Sequence, residues 1–363
     1  MLRSQERYRS NLLIFSLVIF LTLFGLNVLL AASNFLARQE YGDPYFFIKR
    51  QALYAFLGFL SLLFCSQLPY TFWEKWAWPF YGLSLVLLLL VFVPPLGKKA
   101  GGAHRWLNFG FFSIQPSDIA RFCLILLIAR LYARWERPGL AHVALTVTLV
   151  FFPVLLIALE PDLSTALHLL LCAGLLLFLT SFPWYMHLLF LLLSLPVVYY
   201  FIFYTPFRLE RLKAFLDPWT YRYEGAYQLV ASFKSFAAGG FWGKGLGEGL
   251  RRHNLQARHT DFILSIVAED MGFLGIVLLL IIYFGLATYG LYLMSKIEKP
   301  FARLLGSGVL IIFFTQFSMH VAVTMGLLPT TGISLPLLSY GGTSLVMYMS
   351  MFGILLNITR LEH

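Results

Sequence analysis

Four consecutive polar residues, Arg258-His259-Thr260-Asp261, stand directly before the apolar run Phe262-Ile263-Leu264-Ser265-Ile266-Val267-Ala268. An ionisable group at a membrane boundary is costly unless it is paired, hydrated or useful. The pattern therefore reads as an acid, Asp261, held against a long-tailed anionic substrate. Helix capping is the plainer reading, because an Asp just before an apolar helix makes a good N-cap. Glu269 and Asp270 follow two turns into the same run.

Three other polar clusters interrupt apolar sequence. Residues 94–118 contain Lys98-Lys99-Ala100-Gly101-Gly102-Ala103-His104-Arg105-Trp106 and end in Gln115-Pro116-Ser117-Asp118. That ending is a helix start, with Pro in the first turn and an acid favoured by the helix dipole. Asp118 and Arg121, three apart, share a helix face. They fit an internal ion pair and a substrate contact equally well. Glu160-Pro161-Asp162 breaks the pattern between two apolar runs, and its carboxylates must face protein or water. Packing is the simpler account of it. The segment Gly326 to Pro336 is too apolar for open water and reads as re-entrant. It leads into Ser339-Tyr340-Gly341-Gly342, where glycines permit close backbone approach and free helix-start amides could face an anion. His320, alone in an apolar run, reads as a core residue.

The elements that must position these groups are membrane helices. The 363 residues are 59% hydrophobic and 12% charged, against roughly 25% charged in soluble domains. Apolar runs occur at roughly 12–33, 46–66, 77–94, 117–134, 142–160, 163–181, 184–205, 262–292, 304–326 and 341–358. Each is near the length that spans a bilayer. The expectation is an all-α polytopic membrane protein, a single domain over 1–363 with about ten transmembrane helices. The runs are continuous, without the period-2 alternation of a membrane β-barrel. No cleavable signal stands out, since the first run is long enough to span.

An even number of spans puts both termini on one side, and Arg3, Arg7 and Arg9 point to the cytoplasm. The interval at about 206–261 then lies outside the cell membrane. It holds nine Lys and Arg against five Asp and Glu, a bias that long loops can carry across. A lipid-facing surface and a cradle for phosphate both fit that charge. A surface-lying helix is expected near 227–237, followed by the Gly-rich turn Gly239 to Gly247, which lacks the spacing of an NTPase loop. No ATP-binding domain is discernible, which argues against a nucleotide-driven pump. The net charge of +10 suits anionic lipid or substrate. Nucleic acid is not expected as a partner, for want of a soluble basic domain. Cys65, Cys123 and Cys172 sit in apolar runs at no metal-like spacing and read as core residues.

Taken together, Gly102-Ala103-His104-Arg105-Trp106, Gln115-Pro116-Ser117-Asp118, Glu160-Pro161-Asp162-Leu163, Phe215-Leu216-Asp217-Pro218-Trp219, Gly225-Ala226-Tyr227-Gln228, His259-Thr260-Asp261-Phe262 and the segment from Gly326 to Gly342 resemble the SEDS family (FtsW, RodA, SpoVE). The pieces occur in family order along nearly the whole chain. Phe215 to Trp219 and Gly245-Leu246-Gly247 sit nearer FtsW than RodA. The resemblance implies a peptidoglycan glycosyltransferase, active in division or elongation, that polymerises lipid II on the outer face of the bacterial cytoplasmic (inner) membrane. It implies a class B penicillin-binding transpeptidase and other divisome or elongasome membrane proteins as partners, and a divalent cation, Mg²⁺ or Mn²⁺, that Asp261 could hold.

The family's essential acid maps onto Asp261. Arg105, Asp118, Arg121, Arg258, His259, Ser339, Gly341 and Gly342 are then candidate substrate contacts, and Glu160, Asp162 and Glu269 structural or site residues. Asp118 and Arg121 replace the family's usual Glu and Lys, Ser164 stands where Gly is usual, and the stretch from His320 to Thr324 lacks an expected Asn. The competing readings are a lipid II flippase, whose charges should line a route across the whole bilayer, and a non-catalytic division scaffold.

Overall fold

The computed structural model describes residues 2–94, 96–100, 103–110, 112–203, 205–249 and 260–361. Ten helices follow the ten apolar runs: α1 (Leu2–Tyr41), α2 (Phe46–Gln67), α3 (Tyr70–Leu90), α4 (Pro116–Arg134), α5 (Leu140–Leu159), α6 (Leu163–Phe178), α7 (Trp184–Phe203), α10 (Ile263–Ser295), α11 (Pro300–Thr324) and α12 (Gly342–Leu361). Two shorter helices, α8 (Pro206–Leu216) and α9 (Tyr227–Gly239), fill the basic interval. The chain is a polytopic all-α membrane protein. By length and composition alone, α1, α2, α5, α10, α11 and α12 can each cross a bilayer.

The ten helices alternate in direction, so one end of the bundle carries both termini. Ser10 on α1 hydrogen-bonds Tyr289 near the end of α10 (2.7 Å), and Asn357 near the end of α12 donates to the Ser66 carbonyl at the end of α2 (2.9 Å). Arg134 at the end of α4 pairs with Glu74 at the start of α3 (3.1 Å). The polar clusters all lie toward the opposite end.

Helix α4 is the centre of the bundle. Every residue from Ala120 to Ala129 is buried, Arg121 among them with its partner Asp118, as expected for a helix enclosed by other helices. It is packed by α3, α6 and α11. Helices α2 and α12 pack together most extensively, and a Cβ on Gly353 would meet the Leu62 carbonyl at 2.4 Å. Only glycine permits that approach, the small-residue contact typical of membrane helices. The three cysteines are buried and form no disulfide.

Residues 97–114 depart from helix. They form a small antiparallel sheet, β1 (Gly97–Ala100), β2 (Ala103–Asn108) and β3 (Ser113–Ile114), in the order β1-β2-β3. Leu107 pairs with Gly97 on one side and with Ile114 on the other, and is buried. The sheet gives the flexible-looking basic segment a fixed frame for Arg105.

Helix α10 is longer than a bilayer needs: 33 residues rise about 50 Å. At Gly272 the backbone turns to φ 67°, ψ −164°. Gly239 to Gly249 pack onto this kink. Lys244 N donates to the Glu269 carbonyl (3.1 Å), Gly245 N to the Asp270 carbonyl (2.9 Å) and Gly247 N to Asp270 Oδ2 (2.9 Å). Lys244 Nζ lies 3.9 Å from Glu269 Oε1. Glu269 and Asp270 therefore stand above the kink and hold the Gly-rich turn, which explains two acids in an apolar helix. The expected surface helix is α9, but it does not lie free. Leu229, Val230, Ser232 and Ser235 are buried. Ser232 Oγ bonds Ser265 Oγ on α10 and the Thr324 carbonyl, both at 2.7 Å.

Candidate active site

Asp261 precedes α10 but does not cap it. The N-cap position is Phe262, whose side chain makes no capping hydrogen bond. The Asp261 side chain is thus available for another purpose. Its backbone position is set by the neighbouring Thr260, whose carbonyl accepts from Ser339 Oγ at 2.7 Å.

The segment between α11 and α12 is re-entrant, as its composition predicts, and side chains from α2, α10 and α11 hold it. Gln316 Nε2 donates to the Ser334 carbonyl (2.9 Å), His320 Nδ1 bonds the Ile333 carbonyl (3.0 Å), and Tyr283 OH bonds the Pro336 carbonyl. Gln51 Nε2 donates to the Ser339 carbonyl and Gln51 Oε1 accepts from Gly341 N, each at 3.2 Å. Ser339 Oγ also accepts from Leu335 N (2.9 Å). Gly342 packs on the Tyr54 ring, which a Cβ there would meet at 2.6 Å. Ser339, Gly341 and Gly342 thus spend their contacts on the protein. They position the site, and the Gly341 amide that could have faced an anion is taken by Gln51.

This framework brings Gly332 between two charges. A Cβ at Gly332 would lie 3.2 Å from Arg105 Nη1 and 4.0 Å from Asp261 Oδ2. The guanidinium and the carboxylate therefore converge beside a bare α-carbon, and Arg105 is the strongest charge acting on Asp261. Arg105 Nε lies 3.3 Å from Asp162 Oδ2, and its Nη2 reaches the Pro161 carbonyl at 3.5 Å. Asp162 also caps α6, accepting from Thr165 N (3.2 Å) and Thr165 Oγ1 (2.8 Å). From α8, Arg211 Nη1 donates to the Thr330 carbonyl (3.3 Å). Three polar atoms here are buried without a hydrogen-bond partner: Arg105 Nε, which has only its ionic contact with Asp162, Glu160 Oε1 and Thr331 Oγ1.

The electrostatics follow from partial burial among arginines. Burial raises the Asp261 carboxyl to about 6, against the opposing pull of Arg105 and Arg211. Burial, reinforced by Asp162, raises Glu160 to about 8, with Arg105 opposing. Arg208 and Arg211 are lowered, first by burial, yet a guanidinium stays charged at any ordinary pH.

Asp118 and Arg121 are a buried ion pair on α4, 3.1 Å apart. Arg121 also donates to Gln316 Oε1, which accepts from Tyr348 OH at 2.6 Å. The pair touches the site through Gln316 and not directly. Arg258 and His259 lie outside the described residues. The sequence does not single out Arg208 and Arg211, and Thr331 and Gly332 enter there only as part of the re-entrant segment. The available signal was the i, i+3 arginine pair on an amphipathic segment of the basic interval.

The donor set is a poor match to a protein-held cation. No three acids, histidines or cysteines converge among the described residues, and arginines flank Asp261. A divalent ion would find Asp261 as one ligand and would have to bring substrate phosphates as others, the usual habit of Mg²⁺.

Residues 11–363 match the profile of the FtsW/RodA/SpoVE cell cycle protein family. A Geobacter sp. (strain M18) protein named probable peptidoglycan glycosyltransferase FtsW is 36% identical over 99% of this chain and 98% of its own length. A protein of the same name from Trichlorobacter lovleyi is 34% identical over 96% and 93%. Among solved structures, a chain of a peptidoglycan synthase complex that coordinates polymerization and crosslinking aligns with a TM-score of 0.79 at 28% identity, over 96% of both chains. The rod shape determining protein RodA of Thermus thermophilus aligns at 0.72 and 27%, over the same shares. With nearly its whole length matched by the profile, this chain belongs to the FtsW/RodA/SpoVE family.

Proposed function

We propose that this chain is a peptidoglycan glycosyltransferase that polymerises lipid II, with Asp261 as general base. The observation that carries the reading is the Asp261 carboxylate and the Arg105 guanidinium converging on Gly332, at the end of a membrane bundle. A sugar hydroxyl of one substrate attacks the anomeric carbon of another. Its proton passes to Asp261, the bond from that carbon to the pyrophosphate oxygen breaks, and the electron pair stays on the pyrophosphate. Arg105 and Arg211, with Arg208 beside them, offset the new negative charge in a partly water-excluded site. A base whose pKa is about 6 is ionised at neutral pH and close enough to it to take a proton efficiently. The positive charge is supplied by arginines, and no step needs a cation.

The test is glycan synthesis from purified lipid II by the detergent-purified chain, alone and with a transpeptidase partner. Detergent leaves no membrane to cross, so a flippase or a scaffold makes no polymer. Lengthening glycan strands are expected, and their absence under both conditions overturns the reading.

The partner is a single-span class B penicillin-binding protein. The similarity to a chain of a polymerizing and crosslinking complex supports this. Co-purification of such a protein with the tagged chain is expected, with activity raised by adding it back. A chain that recovers none and is indifferent to its addition counts against the claim.

In the cell the termini face the cytoplasm and the site faces outward, in the bacterial cytoplasmic membrane. Arg3, Arg7 and Arg9 at the terminal end support this under the positive-inside rule. Glu248 is exposed on the Gly-rich turn. Glu248→Cys should react with an impermeant maleimide in intact spheroplasts; labelling only after permeabilisation reverses the orientation.

A further inference from the structure

Glu160 has no role in the mechanism above, yet it is 1% exposed and its Oε1 is wholly buried with no partner. Its neighbour Asp162 is fully engaged by Thr165 and Arg105. Arg105 grips the same turn through the Pro161 carbonyl and Asp162. An ionised carboxylate without a hydrogen bond is expensive to bury, so Glu160 carries a proton, and the raised value of about 8 agrees. A protonated carboxyl is a hydrogen-bond donor. The charged groups that act on it are Asp162 before α6, which reinforces the rise, and Arg105 on β2, which opposes it; Arg208 and Arg211 on α8 in turn feel Arg105 and Asp162.

Beside its arginines the cradle thus holds buried oxygen groups that lack a partner of their own. Arg105 joins its two halves, touching the turn of Glu160 on one side and Gly332, next to Thr331, on the other. The Thr331 hydroxyl is a second buried group without a partner. Guanidiniums, a hydroxyl and a neutral carboxyl together match a ligand that only accepts. Phosphate oxygens are such acceptors, whereas a sugar's hydroxyls also donate.

We propose that Glu160, in its neutral form, donates a hydrogen bond to a pyrophosphate oxygen of the substrate in the cradle of Arg105, Arg211 and Thr331. The proposal rests on the glycosyltransferase reading and adds the contact that makes pyrophosphate binding depend on pH. When Glu160 ionises, the donor is lost and a negative charge faces the ligand's own.

The probe is a short-chain dialkyl pyrophosphate diester, whose charge is constant across the range, titrated calorimetrically into the detergent-purified chain. The parent should bind it evenly up to about pH 8 and about tenfold more weakly for each further pH unit, as one ionisation dictates. Glu160→Gln keeps an N–H donor and cannot ionise, so its affinity should stay flat through the alkaline range. Glu160→Ala should bind about tenfold more weakly at neutral pH, as expected for one lost hydrogen bond. Should the alanine variant fail to fold, the near-isosteric glutamine variant carries the test alone. A glutamine variant that follows the parent's pH curve, or binds weakly at every pH, overturns the proposal, as does a parent that never binds the probe. Lipid II polymerisation without the pH signature defeats the Glu160 proposal alone. The signature without polymerisation defeats the glycosyltransferase reading instead.

Discussion

Asp261→Asn is expected to abolish glycan synthesis while leaving the protein folded. The amide accepts no proton and brings no charge, and loss of a general base lowers rates by about 10²–10⁴-fold. The cap position of α10 is Phe262, so no helix cap is lost. Stability should not fall either. Burial raises the folded Asp261 pKa to about 6 from 3.8. A group raised in this way favours folding while protonated and loses that contribution as pH rises from about 4 through about 6. At neutral pH its ionised form is a burden to the fold, and the Asn variant should melt at or above the parent. The parent's own rate should drop about tenfold per unit below pH 6, where the base is protonated. Polymerisation assays on detergent-purified protein, with a melting curve for each variant, check both parts. Near-normal polymer from a folded Asn variant would falsify the assignment of Asp261 as base.

The helices were legible because bilayer thickness imposes one length on every apolar run. The runs at 117–134 and 163–181 return as α4 and α6 within a few residues. Pro116 marked the start of α4 because its missing N–H costs nothing in a first turn. The acid at 261 was legible from charge at a boundary. Its partners were not, because the site is assembled across distance in sequence. Arg105 reaches Asp162 and the Gly332 turn, and no local pattern encodes such contacts.

Glycine at 332 is one residue of the re-entrant segment in the sequence, whereas in the structure its missing side chain leaves room beside Arg105 and Asp261. Ser339 and Gly341 looked like ligand contacts because small polar residues at a helix start can serve that purpose. Their actual partners, Thr260 and Gln51, lie 79 and 290 residues away in sequence. Glu269 and Asp270 seemed placed within the bilayer because Gly272 gives no sequence sign that it breaks α10. Arg208 and Arg211 were hidden by company, two among nine basic residues of one interval.

The buried pair on α4 offers the second large effect. Arg121→Leu strands Asp118, which is 9% exposed, and removes a donor from Gln316. Breaking one side of a buried pair costs about 3–5 kcal/mol, so this variant should express poorly or melt far below the parent. Replacing both charges, as Asp118→Leu with Arg121→Leu, removes the stranded ion, and such exchanges are often neutral or stabilising. The double variant should regain most of the lost stability. It should not regain activity, because Gln316 links the pair to the Ser334 carbonyl of the re-entrant turn that carries Gly332 and Ser339. Gln316→Leu, with the ion pair intact, should reproduce the loss of turnover. Full activity in either the double variant or Gln316→Leu would show that the pair does not act through Gln316, and melting temperatures measured beside glycan synthesis decide the matter.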